Sequence, residues 1–97
     1  MTKASVLITG ASTGIGAVYA ERFASRGHDL VLVARDKTKL ETLAARLRQE
    51  NGISVDVLPA DLTQTRDLAA VESRLREDTR IGTLINNAGI AQSGSFT

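Results

Sequence analysis

Four short β-branched runs alternate along this chain with three stretches of helical period, and few architectures can use that order. The runs occupy 5–10, 29–34, 53–58 and 83–86, each closed by glycine, proline or a charged cluster. The first two are almost continuous in apolar residues, as strands covered on both faces are. Ile53, Val55 and Val57 alternate instead, which suits a strand nearer an edge. In the first helical stretch Gly16, Ala20 and Ala24 recur every four residues beside Ile15, Tyr19 and Phe23, so a flat stripe of small residues is expected toward the sheet, with Gly27 as a left-handed end. In the second, Leu40, Leu43, Ala44 and Leu47 form the buried face and Asn51-Gly52 the stop. In the third, Leu68, Val71 and Leu75 repeat the spacing after Thr63, the expected N-cap, and Arg66 stands where a capping box would need Glu or Gln.

Strict alternation predicts parallel βαβ units with right-handed crossovers, because a parallel return needs a long connection. The expected class is α/β, the N-terminal part of a doubly wound parallel sheet with three crossover helices, and residues 1–97 read as a single, incomplete domain that stops in a loop. A chain of 97 residues buries little more than ~60% of the surface its unfolded form exposes, and it has no cysteine to staple it. The 12 Lys and Arg against 11 Asp and Glu leave a net charge of +1, too little field for nucleic acid or anionic lipid, so neither is an expected partner. The longest apolar run, Leu30–Ala34, is far short of a bilayer span, and Thr9-Gly10 interrupt Val6-Leu7-Ile8 too soon for a secretory signal. A cytoplasmic location is expected.

The stretch Thr9-Gly10-Ala11-Ser12-Thr13-Gly14-Ile15-Gly16 lies directly between the first strand and the first helix. Its glycines have separable tasks: Gly10 permits the tight turn, Gly14 lets a pyrophosphate approach the backbone, and Gly16 lets helix and strand pack closely. The helix N-terminus offers free N–H groups and partial positive charge to phosphate. Glycine triplets recur by chance, but this one follows a strand, opens a helix and lies in a βαβ unit of about thirty residues, the context of the dinucleotide fingerprint. About 20 residues beyond Gly14, where an acid would hold a ribose 2′-OH, stand Ala34 and Arg35. A guanidinium fork suits a 2′-phosphate, and Lys37 and Lys39 add charge, so NADP(H) is favoured over NAD(H). The other reading of Arg35 is a solvated strand-end residue paired with Asp36.

TGASTGIG, the Asp61-Leu62 pair after the third strand and Asn86-Asn87-Ala88-Gly89 after the fourth together resemble the short-chain dehydrogenase/reductase family, in order and along the whole chain. That resemblance implies a Rossmann sheet in strand order 3-2-1-4. It implies that Gly10, Ser12, Gly14, Ile15 and Gly16 line the phosphates, that Arg35 meets the 2′-phosphate, and that Asp61 with the Leu62 backbone holds the adenine. Asn87, Ala88 and Gly89 would border the ribose nearest the nicotinamide, while Asn86 would brace the sheet. Helix capping is the alternative for Asp61, and turn hydrogen bonding for the two asparagines.

Two departures qualify the match. Thr13 stands where NADP-preferring members often carry a basic residue, so cofactor choice rests on Arg35. The family's catalytic Ser and Tyr-x-x-x-Lys lie well beyond the NNAG segment and are expected on a continuation past Thr97, so no catalytic residue is expected here. Tyr19, followed by Phe23 rather than Lys, reads as a core or half-buried aromatic, His28 as a solvated loop residue, and no group of acids and histidines has metal spacing. The expected function is the cofactor-binding portion of an NADP(H)-dependent oxidoreductase that moves a hydride between nicotinamide and a small-molecule carbonyl or alcohol, with a homo-oligomeric parent. The 97 residues alone are expected to be inactive and to associate through the uncovered edge of the fourth strand. A non-catalytic nucleotide-binding or sensor module on the same fold is the alternative, and an isolated piece without stable function a third.

Overall fold

The computed structural model describes residues 3–12 and 14–87. In chain order these form β1 (Ser5–Thr9), α1 (Gly14–Ser25), β2 (Leu30–Ala34), α2 (Lys37–Asn51), β3 (Val55–Pro59), α3 (Thr65–Glu77) and β4 (Ile81–Asn86). The strands make one parallel sheet in the order β3-β2-β1-β4, as the family resemblance implies. Every residue of β1 and β2 is buried, which accounts for their unbroken apolar sequence, whereas β3 and β4 lie at the edges and bury only part of theirs.

Alternate residues of the central strands enter two separate cores. Val6 and Ile8 of β1 and Leu30 and Leu32 of β2 pack under α1 and α2, together with Leu40, Leu43, Ala44 and Leu47. Leu7, Val31 and Val33 face the other way and meet Ala60 and Val71 of the α3 side. Helices on both faces make the sheet doubly wound. The second core is thinner, because α3 alone covers that face and Val71 is its one fully buried residue.

The strand bounds shift from the expected ones for local reasons. Asp29 precedes β2: its carboxylate accepts the Ser54 N–H at 2.9 Å while Leu30 donates to the Ser54 carbonyl at 3.0 Å, so the 53–54 segment is tied as a loop and the β3 ladder begins at Val55. Pro59 closes β3, a position open to it because an edge strand leaves one side of the ladder unpaired. At the other edge β4 starts two residues before the expected Thr83. Ser5 pairs with Ile81 and Val6 with Thr83, so Gly82 is the extra residue of a bulge, and a Cβ there would lie 2.7 Å from that of Ala4.

The helices follow their stripes, with corrections. Gly16, Ala20 and Ala24 of α1 are buried, but Ile15 is 63% and Tyr19 40% exposed. Ala17 and Phe23 pack partly beside this stripe, while Ile15 and Tyr19 fall on the flank of the helix away from the sheet. Tyr19 is therefore neither core nor half-buried. Beyond α1 the His28 N–H donates to the Phe23 carbonyl at 3.1 Å and the Gly27 N–H to that of Ala24 at 3.0 Å, a Schellman ending whose usual apolar contact is the edge-on Phe23–His28 ring pair. His28 Nδ1 also lies 2.8 Å from the Ala4 carbonyl oxygen, so it is a half-buried tie and not a solvated loop residue. Asp36 caps α2 by accepting the Lys39 N–H at 3.0 Å. The N-cap of α3 is Gln64, without a side-chain bond, and not Thr63, whose hydroxyl is engaged with Asp61.

At the far end of α3, Arg74 joins Asp56 of β3 at 2.5 Å and Asp78 at 2.9 Å, and Arg80 joins Asp78 at 2.9 Å. Hydrogen bonds from Arg80, and then from Arg74, hold the Asp78 carboxyl well below the ordinary carboxylate range. A depressed carboxyl stabilises the fold above its unfolded value and loses that contribution as pH falls toward its folded one. Asp78→Asn is therefore expected to lower the thermal unfolding midpoint at pH 7, with the gap to wild type shrinking as pH drops below about 4. Calorimetry across pH 2–7 checks it, and a gap that persists unchanged at pH 2 would contradict it.

Candidate functional site

All four strands run in parallel, so the loops after β1, β2, β3 and β4 leave the same edge of the sheet, and these loops carry the residues singled out from the sequence. Four strand ends span about 14 Å at ordinary ladder spacing. The edge is crossed by bonds that hold the loops in register: Ala11 N–H to the Val33 carbonyl at 3.2 Å and Ala60 N–H to the Ala34 carbonyl at 2.9 Å. Order reverses at β1, whose neighbours β2 and β4 follow it at different points in the chain, and the crevice at such a reversal is where open α/β sheets bind ligands.

Gly10 and Gly14 both adopt positive φ, 65° and 56°, which turns the chain from β1 into α1. Among the described residues, a Cβ on Gly14 would meet nothing within 4 Å beyond its chain neighbours, so no side chain from elsewhere closes on this point of the turn. Gly16 is the opposite case. Its Cβ would lie 2.0 Å from the Gly10 carbonyl oxygen and 2.9 Å from Asn87 Nδ2, so the helix is seated on the turn and against the chain leaving β4. Ser12 is half-buried and Ile15 exposed beside this turn.

Thr9, buried at the end of β1, bolts the opposite wall. Its hydroxyl donates to Asn86 Oδ1 at 3.0 Å and accepts the Asn87 N–H at 2.9 Å. Asn86 thus braces the sheet as expected, and Asn87 is drawn to the first turn of α1. Thr9 was not among the expected site residues, although a hydroxyl closing an otherwise apolar buried strand was a legible sign of a polar partner. Ala88 and Gly89, like Thr13, lie outside the described residues.

On the other side Arg35 leaves β2 exposed, with no hydrogen bond or ion pair among the described residues. Asp36 caps α2 through its Oδ1 and makes no ion pair with Arg35. Arg35 is felt electrostatically by Asp61, whose carboxyl is held below the ordinary value by the Thr63 hydroxyl first, then by the Thr63 N–H and last by the Arg35 charge. Asp61 does not cap α3: its Oδ1 accepts both Thr63 groups, at 2.6 and 3.0 Å, in a turn that precedes the helix. The Leu62 side chain packs on the α3 core. Among the described residues no three His, Asp or Glu gather as metal ligands, and no helix is long and apolar enough to cross a membrane.

A parallel 3-2-1-4 sheet, wound on both faces and opening with a glycine turn into α1, defines a Rossmann-type fold. The profile described as short chain dehydrogenase matches residues 4–97, and the chain belongs to that family. A short-chain dehydrogenase from Sphingobium yanoikuyae in complex with NADPH is 75% identical, with a TM-score of 0.88 over 94% of this chain and 36% of its own. The bulky-bulky ketone specific alcohol dehydrogenase from Comamonas testosteroni is 64% identical, with a TM-score of 0.91 over 99% of this chain and 38% of its own. The very-long-chain 3-oxoacyl-CoA reductase of Anas platyrhynchos is 37% identical over 90 residues, which are 90% of this chain and 28% of that protein. The chain thus spans between about a quarter and two-fifths of these relatives.

The two helix glycines should respond differently to alanine. Gly14→Ala meets only the left-handed backbone, worth ~1–2 kcal/mol, whereas Gly16→Ala forces α1 off the turn and should cost more, about 3 kcal/mol or above, as overpacking against backbone does. Urea unfolding of both variants measures the difference, and equal losses would remove the seating contact from this account.

Proposed function

We propose that this chain is the cofactor-binding part of an NADP(H)-dependent short-chain dehydrogenase/reductase, residues 1–97 being one incomplete dinucleotide-binding domain of it. The observation that carries the reading is the end of β2: an exposed guanidinium at Arg35 with no hydrogen bond or ion pair among the described residues, followed by an acid that caps α2 through one carboxylate oxygen. The Asp36 carboxylate is tied to its helix through one oxygen, and a 2′-phosphate would find a fork of donors at Arg35. The NADPH complex of the Sphingobium relative supports the same cofactor.

The residues present fit the group. With no side chain from elsewhere closing on Gly14 among the described residues, a pyrophosphate would sit at the N-terminus of α1, bordered by Gly10, Ser12, Ile15 and Gly16. Asp61 and Leu62 would take the adenine end, and Asn87, with Ala88 and Gly89 beyond it, the ribose nearest the nicotinamide. When bound, the nicotinamide supplies or accepts the hydride. The Comamonas relative's preference supports a ketone or the corresponding alcohol as substrate class. Proton transfer falls outside these 97 residues: the single tyrosine, Tyr19, sits on the flank of α1 and is followed four residues on by Phe23. This chain's share of the reaction is to bind and orient.

Arg35→Ala is expected to weaken NADP(H) far more than NAD(H). Loss of a charge-assisted hydrogen bond costs ~1.5–3 kcal/mol, or about one to two decades in affinity. Calorimetric titration of both cofactors into wild type and variant tests this, and equal weakening would withdraw the 2′-phosphate assignment.

A further inference from the structure

Asp61 is held by α3 as much as by its own loop. Its N–H donates to Asp67 Oδ2 at 2.8 Å, its carbonyl accepts the Gln64 N–H at 2.9 Å, and its Oδ1 is saturated by the two Thr63 donors. Oδ2 of Asp61 has no hydrogen bond among the described residues, so one carboxylate oxygen keeps its lone pairs. With Gln64 as the N-cap, Asp67 occupies the third position of α3, where a carboxylate is favoured by the helix dipole and ordinarily reaches back to the N-cap N–H. Here it reaches three residues further, to the N–H of Asp61. The neighbouring Ala60–Ala34 bond fixes the same loop to the strand end that carries Arg35.

We propose that Asp67, helped by Thr63, is a positioning residue that orients Asp61 so that its free carboxylate oxygen accepts a hydrogen bond from the exocyclic amine of the adenine. This rests on the reading that Asp61 meets the base. A site held by a helix is placed more tightly than one held by a loop, so α3 becomes the element that sets base selectivity. Asp67 touches no part of the nucleotide, and its effect passes through Asp61.

The test compares NADPH with nicotinamide hypoxanthine dinucleotide phosphate, which carries a carbonyl oxygen where adenine carries the amine. Affinities are read by fluorescence titration of the protein that carries this chain, alongside thermal melts. Wild type is expected to prefer the adenine form by roughly tenfold or more. Asp67→Ala should reduce that preference to about twofold or less, Asp67→Asn, which keeps an oxygen acceptor, should retain it, and Thr63→Val should lose about threefold. Equal weakening of both nucleotides by Asp67→Ala would make Asp67 merely structural and overturn the proposal. Should Asp67→Ala not fold, Thr63→Val decides, and an unchanged preference there overturns it. If wild type shows no preference, or Asp61→Ala leaves it intact, the contact between Asp61 and the base fails first, a result distinct from loss of Asp67's role alone.

Discussion

At Gly16 the helix α1 stands so close to the preceding turn that not even a methyl group fits between them. Much of the site follows from that contact. It sets the start of α1 directly over the end of β1, which aims the free N–H groups and positive end of the helix dipole at the crevice between β1 and β4. The small residues that follow, Ala20 and Ala24, continue the close approach along the sheet. Asn87 closes on the same glycine from the other side, held there by the buried hydroxyl of Thr9. One missing Cβ thus lets the turn after β1 and the chain leaving β4 meet at the start of α1.

The remaining polar groups of this edge divide their work by environment. Asp36 and Asp61 both follow a strand, and each carboxylate is engaged by nearby N–H groups, Asp36 as a cap on α2 and Asp61 in a turn before α3. The difference lies in their surroundings: Asp36 gives one oxygen to the helix N-terminus it caps, while Asp61, with one oxygen taken by Thr63, lies within the field of Arg35. Arg35 itself is exposed and makes no hydrogen bond or ion pair among the described residues.

Several features were not legible in the residue pattern because they depend on partners distant in the chain. Thr63 looked like a cap by type and position, yet the helix begins one residue later, and only that shift places Asp67 where it can reach Asp61. His28 carries no mark in the sequence of its tie to Ala4, 24 residues earlier. Tyr19 has an apolar ring at a position that periodicity places beside the stripe, but it falls on the exposed flank of α1. The bulge at Gly82 hid the first two residues of β4, since a glycine inside a run reads as its end.

What the sequence alone determined is local and periodic. It set the alternation of strands and helices, the two-sided burial of β1 and β2, the buried faces of α1 and α2, and the glycine turn between β1 and α1. These depend on spacing within about ten residues, and spacing is written in the chain. Tertiary structure decided which groups meet. The Thr9 hydroxyl finds Asn86 and Asn87 more than 75 residues away, and the Asp61 turn comes within the field of Arg35. Such pairings arise only when parallel strands bring distant loops to one edge, since hydrogen bonds and charges act over ångströms of space and not over positions in a chain.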